Sequence, residues 1–309
     1  IFPASAAAVL LVAVVGVSIA LWWAGERIAR RLLQAQLLRG VRSPLPARAA
    51  GVASGVGALL LFAALASMVG MALWSFTYSW RFPQALPAEW TIGNWQRQAS
   101  SLWLPAWSTL LIATAATLIA CVLVVACLEH ETRSRMARPS RSLWLLYLPL
   151  LVPQVAFLFG LQVLLVRLGA DGRLSAVIWA HLVFVLPYLF LSLADPWRAF
   201  DDRYARAAAS LGASPWRVLW AIKLPILLRP LLVSCAVAFA VSVGQYLPTL
   251  FAGAGRVATL TTEAVTLSAG ADRRVIGTWA MLQALFPLLV YLAAAWWPRR
   301  LYRNRRGLA

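Results

Sequence analysis

Few side chains in this 309-residue chain have the types and spacing that catalysis requires. The two histidines, His130 and His181, belong to no HExxH pattern, and no Gly-x-Ser-x-Gly sequence presents a nucleophilic serine. The single lysine, Lys223, follows Ile222 rather than glycine, so the chain lacks the P-loop that binds ATP phosphates. The sequence therefore predicts a protein that is not an enzyme, and an ATP-driven role would require another subunit.

The cysteines also give no indication of a metal or redox site. Cys121, Cys127 and Cys235 all fall inside apolar runs. Buried thiols in such runs pack as small hydrophobic side chains. We expect no disulfide, no bound metal and no cofactor.

The composition is typical of a polytopic membrane protein. Hydrophobic residues make up 62% of the chain, charged residues 12%, and the mean hydropathy is +0.76. The formal net charge is +18, and all but one of the 28 basic residues are arginines, most of them in short segments between apolar runs. That placement indicates membrane topology rather than nucleic-acid binding.

The apolar runs predict an all-α transmembrane bundle of about seven helices, since about 20 apolar residues cross a bilayer. Arginine is concentrated in the segments after the first, third and fifth helices and in the tail. By the positive-inside rule these segments are cytoplasmic, which places the N-terminus outside and the C-terminus inside. The predicted helices are 4–23, 51–76, 104–128, 143–166, 174–194, 230–252 and 275–297.

Four polar side chains within these helices are candidates for a transport pathway: Gln154, Gln162, His181 and Gln245. Polar groups inside a membrane often mark a pathway. They also form hydrogen bonds between helices, so both interpretations remain open.

The longest polar interruption in the C-terminal half, residues 201–230, predicts two helices joined at Gly212. Asp201 is a suitable N-cap for the first helix, and glycine suits the left-handed position after its end. Ser214 and Pro215 then form an N-cap and first helical residue. Basic side chains, including Lys223, alternate with tryptophans beyond that point, which predicts a helix lying along the membrane surface.

This segment resembles the cytoplasmic signature of permease subunits of type I ABC importers, which reads Glu-Ala-Ala, three residues, Gly, nine residues, Ile-x-Leu-Pro. Here Ala207-Ala208, Gly212 and Ile222-Lys223-Leu224-Pro225 stand at that spacing, with Arg206 in place of the glutamate. The resemblance implies a coupling helix that docks into a groove on a separate ATPase subunit. The coupling residues it implies are Tyr204, Arg206, Ala207, Ala208, Leu211, Gly212, Ile222, Leu224 and Pro225.

A second stretch, from Gly244 to Phe251, is similar to the fifth core helix of permeases for sulfate, molybdate, polyamines, thiamine or ferric iron. In this chain Gln245 replaces the acidic residue of that stretch, and Thr261 replaces a later proline. Glycine and proline inside an apolar helix free backbone carbonyls, which is tolerated beside a cavity or a neighbouring helix.

The resemblance implies a six-helix permease core over 51–298, with its coupling loop at 195–229 and a basic cytoplasmic tail at 299–309. Residues 1–50 form an extra helix, with its N-terminus outside, and a basic linker. They resemble the end of a preceding half, so we expect the C-terminal half of a fused tandem permease. The implied partners are two ABC ATPase subunits, a second permease half, a periplasmic or extracellular solute-binding protein and membrane lipid, in a bacterial inner membrane.

The expected function is the transmembrane permease of an ATP-driven, binding-protein-dependent importer of a small polar or charged solute. A self-contained secondary carrier or channel is the alternative, and it would require ionisable residues within the spans. A membrane scaffold without transport activity would not need the spaced glycine and Leu-Pro.

Overall fold

The computed structural model describes residues 2–38, 45–81, 83–134, 140–270 and 272–301. These residues form helices and one small antiparallel hairpin, β1 (Thr77–Ser79) with β2 (Glu89–Trp90). Parts of the predicted basic linker and tail, 39–44 and 302–309, lie outside the described residues. The helices are α1 (Phe2–Leu38), α2 (Leu45–Ser75), α3 (Gly93–Ser134), α4 (Ser140–Leu151), α5 (Gln154–Arg167), α6 (Leu174–Arg198), α7 (Asp202–Ser210), α8 (Pro215–Val218), a π-helical turn (Leu219–Lys223), α9 (Leu224–Ile226), α10 (Leu228–Val243), α11 (Leu247–Gly253), α12 (Leu260–Ser268) and α13 (Arg273–Leu301).

Five of the described helices are long and apolar enough to cross a membrane, and there are up to seven spans if each of two bent helix pairs counts as one. The all-α polytopic bundle is therefore confirmed. The most hydrophobic stretches of α1 and α2 are not buried by the rest of the described chain, as expected for helices that face lipid or another protein. The predicted ends at 23 and 104 were wrong: α1 continues through the basic segment to Leu38, and α3 begins at Gly93.

The predicted continuous helix 143–166 was also wrong. It is broken after Leu151, and its two parts, the second beginning at Gln154, meet at 103°. Pro153 stands at the break, where it lacks the N–H that would donate back to Pro149. The ring of Pro153 also disfavours a helical conformation for the residue before it.

A second predicted helix, 230–252, is interrupted at residues 244–246, between α10 and α11. Pro248, in the first turn of α11, cannot donate to the carbonyl of Gly244. The chain also bends by 76° at Leu227, where the segment Pro215–Ile226 meets α10. The Gly-Gln-Tyr stretch singled out in the sequence is therefore a real break in the helix.

α6 lies at the centre of the bundle and packs against α3 and α10. Its buried face continues to the C-terminal end of the helix, where Trp197 is 1% exposed. At the other edge of the bundle α13 packs on α2, and a Cβ atom added at Gly277 would lie 2.7 Å from the carbonyl oxygen of Met71. The expected burial of the cysteines holds only in part, because Cys121 and Cys235 are half-buried and Cys127 is exposed.

Candidate functional site

Two structures at opposite ends of the α10 region contain most of the predicted site residues. The first is the hairpin of α7 and α8, which follows the C-terminal end of α6. Asp201 caps α7 by accepting a hydrogen bond from the Arg203 N–H (2.9 Å), and Ser214 caps α8 by accepting from the Arg217 N–H (3.3 Å). Pro215 occupies the first turn of α8. Both predicted N-caps are confirmed.

The turn between the two helices depends on the backbone conformation of Gly212. Its φ is +80°, in the left-handed region that favours glycine. The Gly212 N–H donates to the Ala209 carbonyl and the Ala213 N–H to the Ala208 carbonyl, each at 3.0 Å. This pair of bonds is the Schellman motif that satisfies the last carbonyls of a helix. The predicted C′ position of Gly212 is confirmed.

The predicted coupling residues divide into two groups. The outer group is exposed and forms the tip of the hairpin: Tyr204, Arg206, Ala207, Leu211 and Gly212. Leu211 is 88% exposed, so its apolar side chain has little contact with the rest of the described chain. The inner group is buried or half-buried and packs towards the bundle: Ala208, Ile222, Leu224 and Pro225.

The observed exposure of Lys223 differs from the prediction. The alternation of basic residues and tryptophans predicted that it would lie at the membrane surface, but its residue is only 4% exposed. Its Nζ lies 2.9 Å from Oε2 of Glu129, at the end of α3. Trp216 and Trp220 do remain exposed, at 63% and 65%. The predicted exposure of Lys223 is therefore wrong, and the location of this segment along the membrane surface stays a prediction.

The second structure is a buried polar group at the break between α10 and α11. His181 of α6 is 2% exposed, and its two ring nitrogens each lie 2.8 Å from a hydroxyl, Nδ1 from Ser242 Oγ and Nε2 from Thr249 Oγ1. The two hydroxyls stand on opposite sides of the break. One histidine therefore joins α6 to both parts of the interrupted helix.

The hydrogen-bond pattern assigns the ring proton of His181. Thr249 donates its only hydroxyl hydrogen to the carbonyl of Gln245 (2.9 Å), so it accepts from His181 Nε2–H. In the neutral imidazole Nδ1 then accepts from the hydroxyl of Ser242, and both ring nitrogens have a hydrogen-bond partner.

Gln245 lies within the same group and is incompletely satisfied. It is 7% exposed, and its amide nitrogen lies 3.4 Å from the carbonyl of His181. Its amide oxygen, Oε1, has no hydrogen-bond partner among the described residues. Buried polar atoms rarely lack a partner, and each exception needs an explanation.

Two threonines from other segments make further hydrogen bonds in this region. The hydroxyl of Thr261 donates to the carbonyl of Val243, which the helix break leaves without its usual partner. Thr109 of α3 accepts a hydrogen bond from the N–H of Leu260 (2.9 Å). Thr261 occupies the position of the proline in the permeases that this stretch resembles. In this chain its side chain stabilises the break between α10 and α11.

The structure joins His181 and Gln245 by a hydrogen bond, but among the described residues no hydrogen bond joins either of the other two predicted pathway residues to them. Gln154 is exposed at the start of α5, and Gln162 is half-buried on the same helix. Sequence reasoning missed Ser242 and Thr249, although both lie within four residues of Gln245 and the spacing could have indicated them. It also missed the acidic residues at the end of α3, whose partners are distant in sequence.

Comparison with known proteins identifies the family of this chain. Residues 142–303, about half of the chain, match the family model described as "Binding-protein-dependent transport system inner membrane component". The chain is 37% identical over 201 residues to the inner membrane ABC transporter permease protein YnjC of Escherichia coli (strain K12). That alignment covers 65% of this chain and 38% of YnjC, so the chain spans well under two thirds of that relative.

Two further relatives have names that state what they transport. The molybdenum transport system permease protein ModB of Mycobacterium tuberculosis is 34% identical over 188 residues, covering 54% of this chain and 70% of ModB. The spermidine/putrescine transport system permease protein PotC of Escherichia coli (strain K12) is 27% identical over 139 residues, covering 45% of this chain and 51% of PotC. The chain is a multi-pass membrane protein and belongs to the family of binding-protein-dependent transport system inner membrane components.

Proposed function

We propose that this chain forms part of the translocation pathway of an ATP-driven importer that receives a small polar or charged solute from a binding protein. Residues 51–298 are the permease core in this proposal, and the loop 195–229 connects it to a separate ATPase. Its other partners are a second permease half and the solute-binding protein. The arginine-rich segments and the α7–α8 hairpin lie on the cytoplasmic side of a bacterial inner membrane, with the N-terminus of the chain outside and the C-terminus inside.

The observation that carries the proposal is the exposed tip of the α7–α8 hairpin. It stands beyond the C-terminal end of a buried helix, both of its helices are capped, and its turn is held by Gly212. A rigid, pre-organised element that exposes Leu211 and Tyr204 is suited to docking, because little conformational entropy is lost on binding. Its small residues allow close approach to a partner groove.

The polar group around His181 supports a pathway at the α10–α11 break. Interrupted membrane helices often form solute sites because their backbone groups are free near the middle of the bilayer. In this proposal the Oε1 atom of Gln245, which lacks a hydrogen-bond partner among the described residues, contacts the solute as it passes. His181 stabilises the interrupted helix beside it. The names of two relatives state transport of molybdenum and of spermidine and putrescine, and we assign none of these solutes to this chain.

Co-purification tests the proposal. The full-length permease is expressed with the ATPase encoded beside it, as wild type, as Gly212→Asp and as Gly212→Asn. Asparagine and aspartate have the same shape, and both tolerate the left-handed conformation better than other side chains with a Cβ. No atom lies within 4 Å of a Cβ at this position, so both variants fit the permease itself.

We expect Gly212→Asp to lose the ATPase while the permease remains folded in the membrane, because an added carboxylate is desolvated at the docking surface. Gly212→Asn should retain more of the ATPase. If the wild type recruits no ATPase, the coupling proposal fails and a self-contained carrier or channel becomes the better explanation. Equal recruitment by all three proteins would instead show that docking occurs elsewhere.

A further inference from the structure

The single lysine of the chain is buried where three helical segments meet. Its Nζ lies 2.9 Å from Glu129 Oε2 and 3.4 Å from Thr132 Oγ1, both on α3. It also lies 4.5 Å from the ring centre of Trp197 and 5.5 Å from that of Phe200, at the end of α6. Lys223 therefore contacts α3 and the end of α6 from the segment that returns from the α7–α8 hairpin.

The acidic partner of Lys223 is shared with a second contact to the hairpin. Glu129 also accepts from Arg133 Nε, at 2.8 Å. Arg133 in turn donates to the carbonyl of Pro215 (3.2 Å), and its guanidinium lies 5.5 Å from the ring centre of Trp216. One carboxylate at the end of α3 thus orients two cations that hold α8 and the segment after it.

The backbone beside Lys223 is a widened helical turn. The N–H of Leu224 bonds to the carbonyl of Leu219, five residues back, over the π-helical turn Leu219–Lys223. Pro225 has no N–H for the carbonyl of Ala221, so the regular helical pattern cannot continue through this turn. Leu219 and Lys223, the first and last residues of the turn, are both buried. Such single π-turns occur frequently at functional sites.

A buried charge is a poor source of net stability, because desolvation offsets the attraction between the two ions. It is a better source of geometric specificity, since an ammonium group with three donors and two facing aromatic rings has one favourable position. An apolar residue at 223 would pack here without fixing the hairpin relative to α3. This difference indicates a role in orientation.

We infer that Lys223 is a positioning residue, which, with Glu129, fixes the α7–α8 hairpin to α3 so that movement of the hairpin is transmitted to the membrane helices. The inference rests on the proposed function for its consequence in transport. The attachment of the hairpin to α3 through this ion pair follows from the contacts alone.

Amide hydrogen exchange of the full-length permease in lipid nanodiscs tests the attachment without any ATPase. The variants are Lys223→Met, Glu129→Gln, the double variant, and Arg229→Met as the matched control. Arg229 is an exposed basic residue six positions after Lys223 in the sequence, so the control removes the same charge from a site outside the ion pair. We expect exchange in 202–218 to increase at least about tenfold in Lys223→Met and to be unchanged in Arg229→Met. The increase should be smaller than the roughly hundredfold or more expected for loss of one partner of an isolated buried pair, because Glu129 keeps Arg133.

The double variant should exchange no faster than Lys223→Met, because the two residues act as one pair. Equal exchange in Lys223→Met and Arg229→Met would overturn the inference. So would effects of Lys223→Met and Glu129→Gln that simply add in the double variant. These outcomes do not depend on whether the chain works with an ATPase.

A second measurement distinguishes orientation from a purely stabilising role. In the reconstituted transporter, the ratio of ATP hydrolysis with and without loaded binding protein reports coupling between the two faces. We expect this ratio to fall roughly tenfold in Lys223→Met, within the usual range of coupling between sites, at an unchanged yield of assembled complex. Faster amide exchange in Lys223→Met with an unchanged ratio of ATP hydrolysis would overturn the role of Lys223 in transmitting movement to the membrane helices. Failure of the wild type to bind an ATPase contradicts the proposed function and, with it, that role, while the exchange result still decides the attachment.

Discussion

Replacing His181 by leucine would remove the two side-chain hydrogen bonds by which His181 joins α6 to the broken helix. Leucine keeps an apolar side chain of similar size in a site that is 2% exposed, so the main change is polar. The bonds that are lost run from Nδ1 to Ser242 and from Nε2 to Thr249, each at 2.8 Å. The two parts of the interrupted helix, α10 and α11, would then lose the side chain on α6 to which both are hydrogen-bonded, although both still pack against α6.

The expected cost follows from the environment of these bonds. Hydrogen bonds between helices inside a membrane contribute about 0.6 kcal/mol each and at most about 1.7. Thr249 keeps its bond to the carbonyl of Gln245, and serine can donate instead to the carbonyl four residues earlier. These remaining bonds reduce the penalty for unpaired hydroxyls. We therefore expect the free energy of unfolding to decrease by about 1–2 kcal/mol.

The assay is equilibrium unfolding in mixed lipid–detergent micelles, followed for His181→Leu and for double-mutant cycles with Ser242→Ala and Thr249→Val. His130→Leu is the matched control, because that histidine is exposed at the end of α3 and the same substitution there should be near neutral. Each cycle should give a coupling energy of about 0.6 kcal/mol. Coupling energies below about 0.3 kcal/mol in both cycles would refute the reasoning, since separate sites differ from additivity by that much.

Two further predictions concern the opposite side of the bundle from the hairpin. Gly277→Ala should separate α13 from α2, because the added Cβ would lie 2.7 Å from the Met71 carbonyl oxygen. We expect the free energy of unfolding to decrease by about 1–3 kcal/mol. An unchanged free energy of unfolding would contradict the close packing of the two helices. The hydrogen bond from Arg274 lowers the pKa of Asp272, so this carboxylate stabilises the fold above its unfolded pKa, near 3.9, and that stabilisation is lost as pH falls through the lower folded value. Asp272→Asn should therefore unfold at a lower temperature than wild type at about pH 6, and the difference should shrink as the pH falls below about 3.9 and disappear below the folded-state pKa; a difference that persists in acid would contradict this assignment.

The sequence was sufficient for the local structure of the hairpin because that structure depends on neighbouring residues. Asp201, Ser214 and Pro215 satisfy or replace the first N–H groups of their helices, and Gly212 alone can take φ +80° without strain. Hydrophobic run lengths likewise predicted about seven spans, and the described residues contain five such helices, or up to seven spans if each bent pair counts as one. These features need no knowledge of which helices are in contact.

The helix breaks were only partly predictable. The Gly-Gln-Tyr stretch before Pro248 indicated freed backbone carbonyls, but the prediction kept one helix over 230–252, which the structure divides into α10 and α11. Pro153 within an apolar run did not indicate whether the chain would kink slightly or bend by 103°. A proline removes one hydrogen bond, but the angle depends on what the two parts pack against. The prediction of one continuous helix failed for that reason.

Sequence by itself therefore determined that this chain crosses a membrane as a helical bundle, that it carries no P-loop, and that a capped hairpin with a glycine turn interrupts its C-terminal half. Only the tertiary structure decided what the polar groups do. His181 meets Ser242 and Thr249 from 61 and 68 residues away, and Lys223 meets Glu129 from 94 residues away. Such pairs arise from helix packing, and charge or polarity along the chain does not specify a partner at that distance. The same lysine that the sequence placed at the surface is buried because an acidic side chain on another helix compensates its charge.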